Sequence, residues 1–300
     1  MTKLSLGPVL FNWQPEGWRD FYFRIADEAP IDSVYVGEAV CSKRQPFFEP
    51  FMPEVIERLI NAGKEVNYST LALVMTKREA EIMADLADNA DLMVEANDLS
   101  AVSHLSGKPH VIGPYINTYN EGTLNYFKVR GATRIVLPSE LPSSAVQIMA
   151  GCDIDLEVQV FGRLPLAISA RCYHARSRNL HKDSCQYVCG EDANGMDLET
   201  VDGDAFLSVN GTQTLSHSYY NLAAELEDLS DMGVNIFRLN PHPVDMVAVA
   251  QCYRKLLDGN LEVADANENL VKLAGGVPFA NGFYHAQPGV DYMPGQIGTE

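Results

Sequence analysis

The chain has 300 residues and a formal net charge of −18, from 40 acidic and 22 basic residues. Hydrophobic residues make up 46% of it and charged residues 21%, which excludes an intrinsically disordered chain and a disulfide-stapled mini-protein. The negative charge disfavours nucleic acids and anionic membrane surfaces, because their phosphates need a basic counterpart. We therefore expect small molecules and proteins as partners.

The amino-terminal sequence MTKLSLGP has too short and too interrupted an apolar run for a signal peptide. No run along the chain reaches the roughly 18 apolar residues that a transmembrane helix needs. We expect a cytoplasmic protein without a membrane span. Thiols stay reduced in that compartment, so the six cysteines indicate metal or redox chemistry rather than three disulfides.

The first 160 residues alternate between short β-branched apolar stretches and stretches of helical spacing. In segment 51–62, Pro53 lies near the start, Val55 and Leu59 follow at helical spacing, and Gly63 comes just after the end. The predicted strands cover residues 4–10, 33–37, 65–70, 91–95, 109–113, 133–137 and 154–160. The predicted helices cover residues 15–27, 51–62, 77–87, 98–105, 120–129 and 142–150.

The alternation breaks in residues 161–217, which are rich in Cys, His, Arg, Gly, Asn and Asp and contain one predicted strand at 205–209. It resumes with a predicted helix over 219–232, a strand over 233–239 and a helix over 244–257. Strands separated by helical crossovers favour a parallel sheet.

Without the strand at 205–209 the count is eight strands, which predicts an α/β protein with a (β/α)₈ TIM-like barrel over residues 1–260. The cysteine-bearing segment 161–217 is then an insertion after the seventh strand, and residues 261–300 form an irregular tail. An open doubly wound sheet stays the alternative, because a strand count does not prove that the sheet closes.

Function in a barrel lies where the strands end and the βα loops begin. The segments expected at this mouth are 38–44, 69–71, 95–98, 115–120 and 139–140, with the insertion above them. Glu38, Glu95 and Asn117 end strands there and are candidates for contact with a substrate, although polar residues at such positions also cap helices.

Three cysteines of the insertion, Cys172, Cys185 and Cys189, have the spacing C-x12-C-x3-C in polar surroundings. Cys41 follows the second predicted strand and would lie at the same mouth. Four converging thiolates suit an iron–sulfur cluster or a structural zinc ion. The wide and irregular spacing favours a [4Fe–4S] cubane over the two close pairs that structural zinc usually takes. From spacing alone, Cys41 stays undecided between ligand and ordinary thiol.

The other two cysteines are interpreted as ordinary buried thiols, because Cys152 precedes a strand and Cys252 lies at helical spacing with apolar residues. His174 and His181 flank the cysteine trio and are interpreted as neighbours of the site rather than ligands. The basic residues placed to tune a cluster are Lys43, Arg44, Arg171, Arg176 and Lys182.

Several of these segments resemble the collagenase-like peptidase family, and within it the accessory proteins of oxygen-independent ubiquinone biosynthesis. The resemblance covers about residues 4–286. The segments that carry it are Gly37–Arg44 (GEAVCSKR), Ser69–Val74 (STLALV), Leu164–Cys172 (LPLAISARC) with Ala175–Ser177, Lys182–Cys189, Val209–Thr214 (VNGTQT) and Asn281–His285 (NGFYH).

The resemblance implies a [4Fe–4S] cluster held by Cys41, Cys172, Cys185 and Cys189. It further implies a heterodimer with UbiU and a role in hydroxylating the rings of ubiquinone precursors under anaerobic conditions, with the oxygen atom taken from a metabolite, prephenate. A lipid-binding protein, UbiT, belongs to the same pathway. The peptidase name is not carried over, since no protease constellation is visible. A non-catalytic iron–sulfur scaffold and a zinc-containing hydrolase stay as alternatives.

Overall fold

The computed structural model describes residues 2–89 and 91–294. Within that range, eight parallel strands close into a barrel: β1 to β7 pair in chain order, and β11 pairs with both β7 and β1. Closure confirms the (β/α)₈ prediction and rules out the open sheet.

The strands are β1 Lys3–Leu6, β2 Ser33–Val36, β3 Glu65–Ser69, β4 Met93–Ala96, β5 His110–Ile112, β6 Ala132–Val136, β7 Asp155–Ile168, β8 Met196–Glu199, β9 Ala205–Asn210, β10 Gln213–Asn221, β11 Ile236–Leu239 and β12 Phe279–Ala280. The α-helices are α1 Pro15–Glu28, α2 Gln45–Phe48, α3 Met52–Asn61, α4 Lys77–Asn89, α5 Leu99–Leu105, α6 Glu121–Lys128, α7 Ser143–Ala150, α8 Tyr173–Ser177, α9 Leu226–Met232, α10 Met246–Leu257 and α11 Val263–Leu273.

Each barrel helix covers the sheet with one apolar face. In α1, Pro15 occupies the first turn, where a missing N–H costs nothing, and Trp18, Tyr22 and Ile25 are buried against the strands. The main hydrophobic core is this layer between strands and helices. No helix of the described residues is long and apolar enough to cross a bilayer.

The interior of the barrel contains a buried ionic network beside a small apolar cluster of Tyr35, Val111 and Val136. Arg238 contacts Glu95 through Nη2 and Glu157 through Nε, both at 2.6 Å. Arg134 lies 3.7 Å from Glu157 and 2.8 Å from Glu65. Burial alone would raise the pKa of Glu157, but the two arginines outweigh it, so this pKa lies below the ordinary value.

The cysteine-bearing insertion is built on β7, which continues past the barrel to Ile168. β10 returns antiparallel along this extension, and β9 and β8 follow outward, so that residues 169–212 lie above the barrel mouth. We call residues 169–217 the crown. The predicted position of the insertion, after the seventh strand, is confirmed.

Two predictions about the boundaries of elements are wrong. The helix over 219–232 begins only at Leu226, because Tyr219 and Tyr220 pair with both β7 and β12 as part of β10. The strand over 4–10 ends at Leu6, since Pro8 has no N–H to continue a ladder.

The tail predicted as irregular contains α11. Ala266 and Leu270 are fully buried at helical spacing, and the carbonyl of Ala266 accepts a hydrogen bond from Cys252 of α10. The glycines and prolines around α11 obscured this spacing. The predicted boundary between barrel and tail at residue 260 falls in the short loop between α10 and α11, two helices that pack against each other.

Candidate metal centre

The structure brings Cys41, Cys172, Cys185 and Cys189 to the wall of one small cavity of about 20 Å³ above the barrel mouth. Cys41 lies in the loop after β2, while the other three belong to the crown. Cys172 and Cys189 are buried, and Cys41 and Cys185 are half-buried. Side chains separated by about 130 positions in the sequence thus share one site.

Local hydrogen bonds fix each of these loops. The backbone N–H groups of Val40 and Cys41 donate to the Glu38 carboxylate at 2.7 and 3.0 Å, which folds the loop tightly after β2. Cys172 caps α8, since its Sγ accepts from the N–H of Ala175 at 3.5 Å. The Cys172 sulfur thus already accepts a hydrogen bond, as the sulfur ligands of a metal cluster commonly do.

Between Cys185 and Cys189 the chain reverses through two left-handed residues, Gln186 and Tyr187, with φ of 51° and 56°. Such values are uncommon outside glycine and mark a chain held by its surroundings. The side-chain amide of Asn12 donates a hydrogen bond to the Sγ of Cys189 at 3.5 Å, so the loop after β1 also contacts the site.

Burial raises the pKa of the Cys41 thiol, and the positive charge of Arg44 opposes this only in part. Burial likewise raises the pKa of Cys172, against the N–H of Ala175. Both sulfurs are therefore thiols in the metal-free chain at neutral pH. A metal centre would have to displace their protons on binding.

Arg44 lines the cavity of the four sulfurs and is almost completely buried, with 1% of its surface exposed. Its Nη1 donates to the carbonyl of Leu10 at 2.7 Å and its Nη2 to Oδ1 of Asn210 at 2.9 Å. Its Nε has no hydrogen-bond partner. No carboxylate of the described residues lies within ion-pair distance of this guanidinium.

Burial disfavours the charge of Arg44, but the Glu38 carboxylate, its strongest charged neighbour, and a hydrogen bond to the Cys189 sulfur outweigh it, and the pKa of Arg44 is raised. The guanidinium therefore stays charged, with Glu38 as its main opposing charge but outside ion-pair distance. A buried charge without a directly bonded counter-ion is costly, so a closer anion would stabilise it.

The neighbouring basic residues and histidines have different surroundings. His174 is buried between two partners, accepting from the N–H of Gly211 at 2.8 Å and lying 3.0 Å from Asp192, so both ring nitrogens are engaged. Lys43 donates to the carbonyl of Lys182 at 2.7 Å. An open pocket of about 320 Å³ beside Cys172 is lined by Ala170, Arg171, Arg176, His181 and Lys182.

The remaining cysteines lie elsewhere. Cys252 is buried in α10, and Cys152 precedes β7 at the opposite end of the barrel. Among the described residues, no group of three or more His, Cys, Asp and Glu side chains is arranged to hold a single metal ion. The four-cysteine ligand set therefore stays a prediction.

Of the three strand-end candidates, Glu95 is engaged by Arg238, Ser69 and Asn97 in the barrel network. Glu38 holds the Cys41 loop, with a pKa raised by burial and only partly lowered by Arg44 and the backbone donors. Asn117 is exposed in a left-handed conformation at the mouth. Glu38 and Glu95 thus have structural partners.

Sequence reasoning missed Asn12 and Asn210, which contact Cys189 and Arg44. Asn210 lies in the motif Val209–Thr214, whose Gly211 turns with φ of 65° between β9 and β10. That glycine was the available signal for Asn210. The sequence around Asn12 carries no signal, since only the fold of the first βα loop brings it to the sulfurs.

The protein is thus a closed (β/α)₈ barrel with four cysteines at its mouth, three of them on an insertion after the seventh strand. The model of peptidase family U32 matches residues 21–294, and the chain belongs to this family.

A curated relative is the tRNA hydroxylation protein P2 of Bacillus subtilis (strain 168), which is 28% identical over 157 residues. The match covers 50% of this chain and 51% of that protein, so the chain spans about half the length of this relative in the comparison.

Solved structures show weaker likenesses. A tryptophan synthase complex from Pyrococcus furiosus has a TM-score of 0.40 at 9% identity, covering 92% of this chain and 100% of the other. Mycobacterium tuberculosis tryptophan synthase has a TM-score of 0.36 at 10% identity, with 92% and 93% covered. These scores carry no functional argument.

Proposed function

We propose that the chain is the [4Fe–4S] subunit of an oxygen-independent hydroxylase that acts on the rings of ubiquinone precursors, as the UbiV partner of UbiU. Cys41, Cys172, Cys185 and Cys189 would hold the cluster. The curated relative supports hydroxylation as the type of activity, since its name states hydroxylation and it shares half of this chain. The motifs around the four cysteines support the finer assignment.

The observation that carries the proposal is the buried, charged Arg44 beside four sulfurs, with its strongest charged neighbour, Glu38, outside ion-pair distance. A [4Fe–4S]²⁺ cluster with four thiolates has a net charge of about −2, which would give this buried cation a closer counter-charge. A four-thiolate zinc site would carry the same charge. Cysteine spacing favours the cubane, and iron content decides between the two.

The donor set fits a cubane, because four thiolates can each take one iron and need not converge on one ion. The cavity of about 20 Å³ is narrow, so the sulfurs would have to move apart as the cluster enters. Such a cluster supplies one-electron transfer, and with every iron held by cysteine it offers no open position to a substrate.

The chain's own residues set the conditions for that group. Asn12 and the Ala175 N–H donate to sulfur, Arg44 supplies a buried positive charge, and Glu38 holds the Cys41 loop. Ring hydroxylation exchanges two electrons, whereas one cluster moves one. The UbiU partner would bring the second redox centre, with prephenate as the source of oxygen and UbiT as carrier of the lipid precursor.

The relative's name raises RNA as a second substrate class. A chain with a net charge of −18 repels a phosphate backbone, and RNA-binding proteins rely on basic footprints. We therefore place a ring compound, rather than tRNA, as the substrate of this chain.

Metal content tests the ligand set. After anaerobic purification or reconstitution we expect a brown protein with absorption near ~400 nm and equal amounts of iron and sulfide. Cys172→Ala and Cys185→Ala should lose the cluster. Cys252→Ala is the matched control, since it removes a buried thiol far from the site. Stoichiometric zinc in a colourless protein would instead establish the zinc alternative, and equal iron loss in the control would point to folding damage.

Hydroxylation is tested with the reconstituted heterodimer of this chain and UbiU. The assay is run under anaerobic conditions with ubiquinone-precursor rings and prephenate. We expect product only when both subunits carry their cysteines. Full activity of UbiU with a Cys172→Ala chain that has lost its cluster would leave this protein the role of a scaffold. Full activity of this chain alone would contradict the shared catalysis.

A further inference from the structure

Two adjoining cavities occupy the mouth of the barrel, apart from the cysteine site. The inner one is small, about 10 Å³, and is lined by residues of six barrel strands or the loops after them, with Glu95 and Arg238 among them, so it lies on the barrel axis. The outer one is a groove of about 280 Å³. The two share Pro114, Tyr115, Ser139 and Pro165 in their walls. The groove therefore opens where (β/α)₈ enzymes bind substrates.

The walls of this groove suit a flat ring. Pro114, Pro138 and Pro165 and the rings of Tyr115 and Tyr119 supply rigid apolar surfaces. An apolar cavity of about 150 Å³ accommodates benzene, so this groove has room for one substituted ring.

Polar groups lie at the rim of the same groove. The Tyr119 hydroxyl donates to the Glu140 carboxylate, and burial together with this hydrogen bond raises the pKa of Tyr119 to about 12. Asn117 also lines the rim. A few polar groups around apolar walls are typical of small-molecule sites, where they fix the orientation of the ligand.

Buried hydrogen bonds join the inner wall of the groove to the cysteine site. Gln213 donates to the Tyr115 hydroxyl at 2.6 Å, and Asn210 donates to Oε1 of Gln213 at 3.2 Å. Arg44 donates to Asn210 at 2.9 Å and lines the cavity of the four cysteines.

Apolar packing also connects the inner wall of the groove to the cysteine site. Tyr115 and Cys41 contact one small apolar cluster that includes Leu10, Val40 and Leu215. The position of Tyr115 is thus set by the same buried unit that holds the cysteine site.

The geometry points to the groove over β5, β6 and β7 as the binding site for a single aromatic ring with hydroxyl or carbonyl substituents, held between Tyr115 and the extension of β7. This inference rests on the proposed function for the class of ring. The net charge of −18 and the Glu140 carboxylate at the rim favour a neutral phenol or quinone over an anionic ligand.

A binding experiment on the full chain tests the site without any turnover. The probe is 2-methoxyphenol, titrated by calorimetry and saturation-transfer NMR into metal-free and metal-loaded protein, with 2-methoxycyclohexanol as the non-aromatic comparison. Leu166→Trp places an indole in the groove from the β7 extension, where Leu166 is 38% exposed. Ile148→Trp is the matched control, on the exposed face of α7 and outside the groove.

We expect the wild-type chain and Ile148→Trp to bind the phenol alike and Leu166→Trp to bind it at least about tenfold more weakly. Glu140→Gln should weaken the binding of the phenol by about threefold, because a neutral acceptor makes a weaker hydrogen bond than a carboxylate. The cyclohexanol should bind more weakly than the phenol to the wild type, because it lacks a flat ring.

Absence of phenol binding to the wild-type chain, equal binding by Leu166→Trp, or equal affinity for the cyclohexanol overturns the site. The outcome separates this inference from the proposed function. A chain that binds the probe but never loads iron keeps the groove and loses the cluster. A chain that loads iron but binds no ring keeps the cluster and loses the groove.

Discussion

Buried arginines lie in two regions of this molecule with opposite surroundings. In the barrel interior, Arg238 is held between Glu95 and Glu157, with both contacts at 2.6 Å and all three side chains at most 3% exposed. At the cysteine site, Arg44 is equally buried, but its hydrogen-bond acceptors are neutral oxygens and the Cys189 sulfur, and its main opposing charge, Glu38, lies outside ion-pair distance. The first region thus contains directly bonded ion pairs, while the second contains a buried cation that a closer anion could join.

The comparison distinguishes buried charges that stabilise the fold from a buried charge that can bind a ligand. A buried ion pair with satisfied hydrogen bonds costs much to break but offers nothing to a ligand. A buried cation without a counter-charge is tolerated where a ligand or cofactor supplies that charge. Both regions lie at the carboxyl end of the barrel or close to it, so their location does not distinguish them.

The largest effect is expected from Arg238→Met. The substitution leaves Glu95 buried without its cation and Glu157 with only Arg134 at 3.7 Å, and should lower the free energy of unfolding by about 3–5 kcal/mol. Urea unfolding of the metal-free chain measures it. The matched control is Arg24→Met, whose ion pair with Glu28 is half-exposed and should be worth less than about 0.5 kcal/mol. A small effect for Arg238→Met would mean that the barrel network is not a stabilising unit.

A smaller effect is expected from Arg44→Met in the metal-free chain, below about 2 kcal/mol. Only Oδ1 of Asn210 loses its donor, because the Leu10 carbonyl keeps a hydrogen bond from Asn210 Nδ2 at 2.6 Å. Removing an unpaired buried charge offsets part of that loss. The same urea titration compares it with Arg238→Met, and an equal cost would contradict the contrast between the two regions.

Metal loading sharpens the same comparison. In Arg44→Met the four sulfurs lose their buried cation and keep only the lysines Lys43 and Lys182 at the cavity. We therefore expect the cluster to be retained about tenfold less well against a chelator, a loss of about 1.4 kcal/mol. Iron release followed at ~400 nm provides the measurement. Arg24→Met again serves as the control and should release iron at the wild-type rate.

An effect of similar size concerns pH. His242 is buried, accepts from the N–H of Arg163 at 2.9 Å through Nε2 and contacts Asn194 through Nδ1. Burial, assisted by the charge of Arg163, holds the pKa of His242 well below its ordinary value.

The unfolded chain therefore binds a proton at His242 that the folded chain does not bind. The free energy of unfolding consequently decreases as the pH drops below about 6.5. Between pH 7.5 and 5.5 we expect His242 to account for a loss of about 1.4 kcal/mol, which His242→Gln should remove from the pH dependence. Urea unfolding at several pH values measures it, with His104→Gln on the exposed surface as the control. An unchanged pH dependence in His242→Gln would show that other groups carry it.

Much of the barrel could be predicted because its strands and helices carry local signals. Helix α3 shows them together, with Pro53 at its start, Val55 and Leu59 buried on one face and Gly63 just beyond its end. The antiparallel β10 was mistaken for a helix at Tyr219, since its apolar run fits either period and only pairing with β7 and β12 decides between them. Helix α11 was missed for the complementary reason, as two buried positions are a weak pattern.

The sequence by itself determined the alternation of strands and helices, the insertion after the seventh strand and the cysteines that can provide sulfur ligands, because periodicity and residue type are local properties. Only the tertiary structure decided that the barrel closes, that Cys41 meets the crown, and that Arg44 is buried there without a carboxylate while Arg238 has two. Burial and charge pairing depend on residues up to about two hundred positions apart, and their energies arise only when the chain has folded.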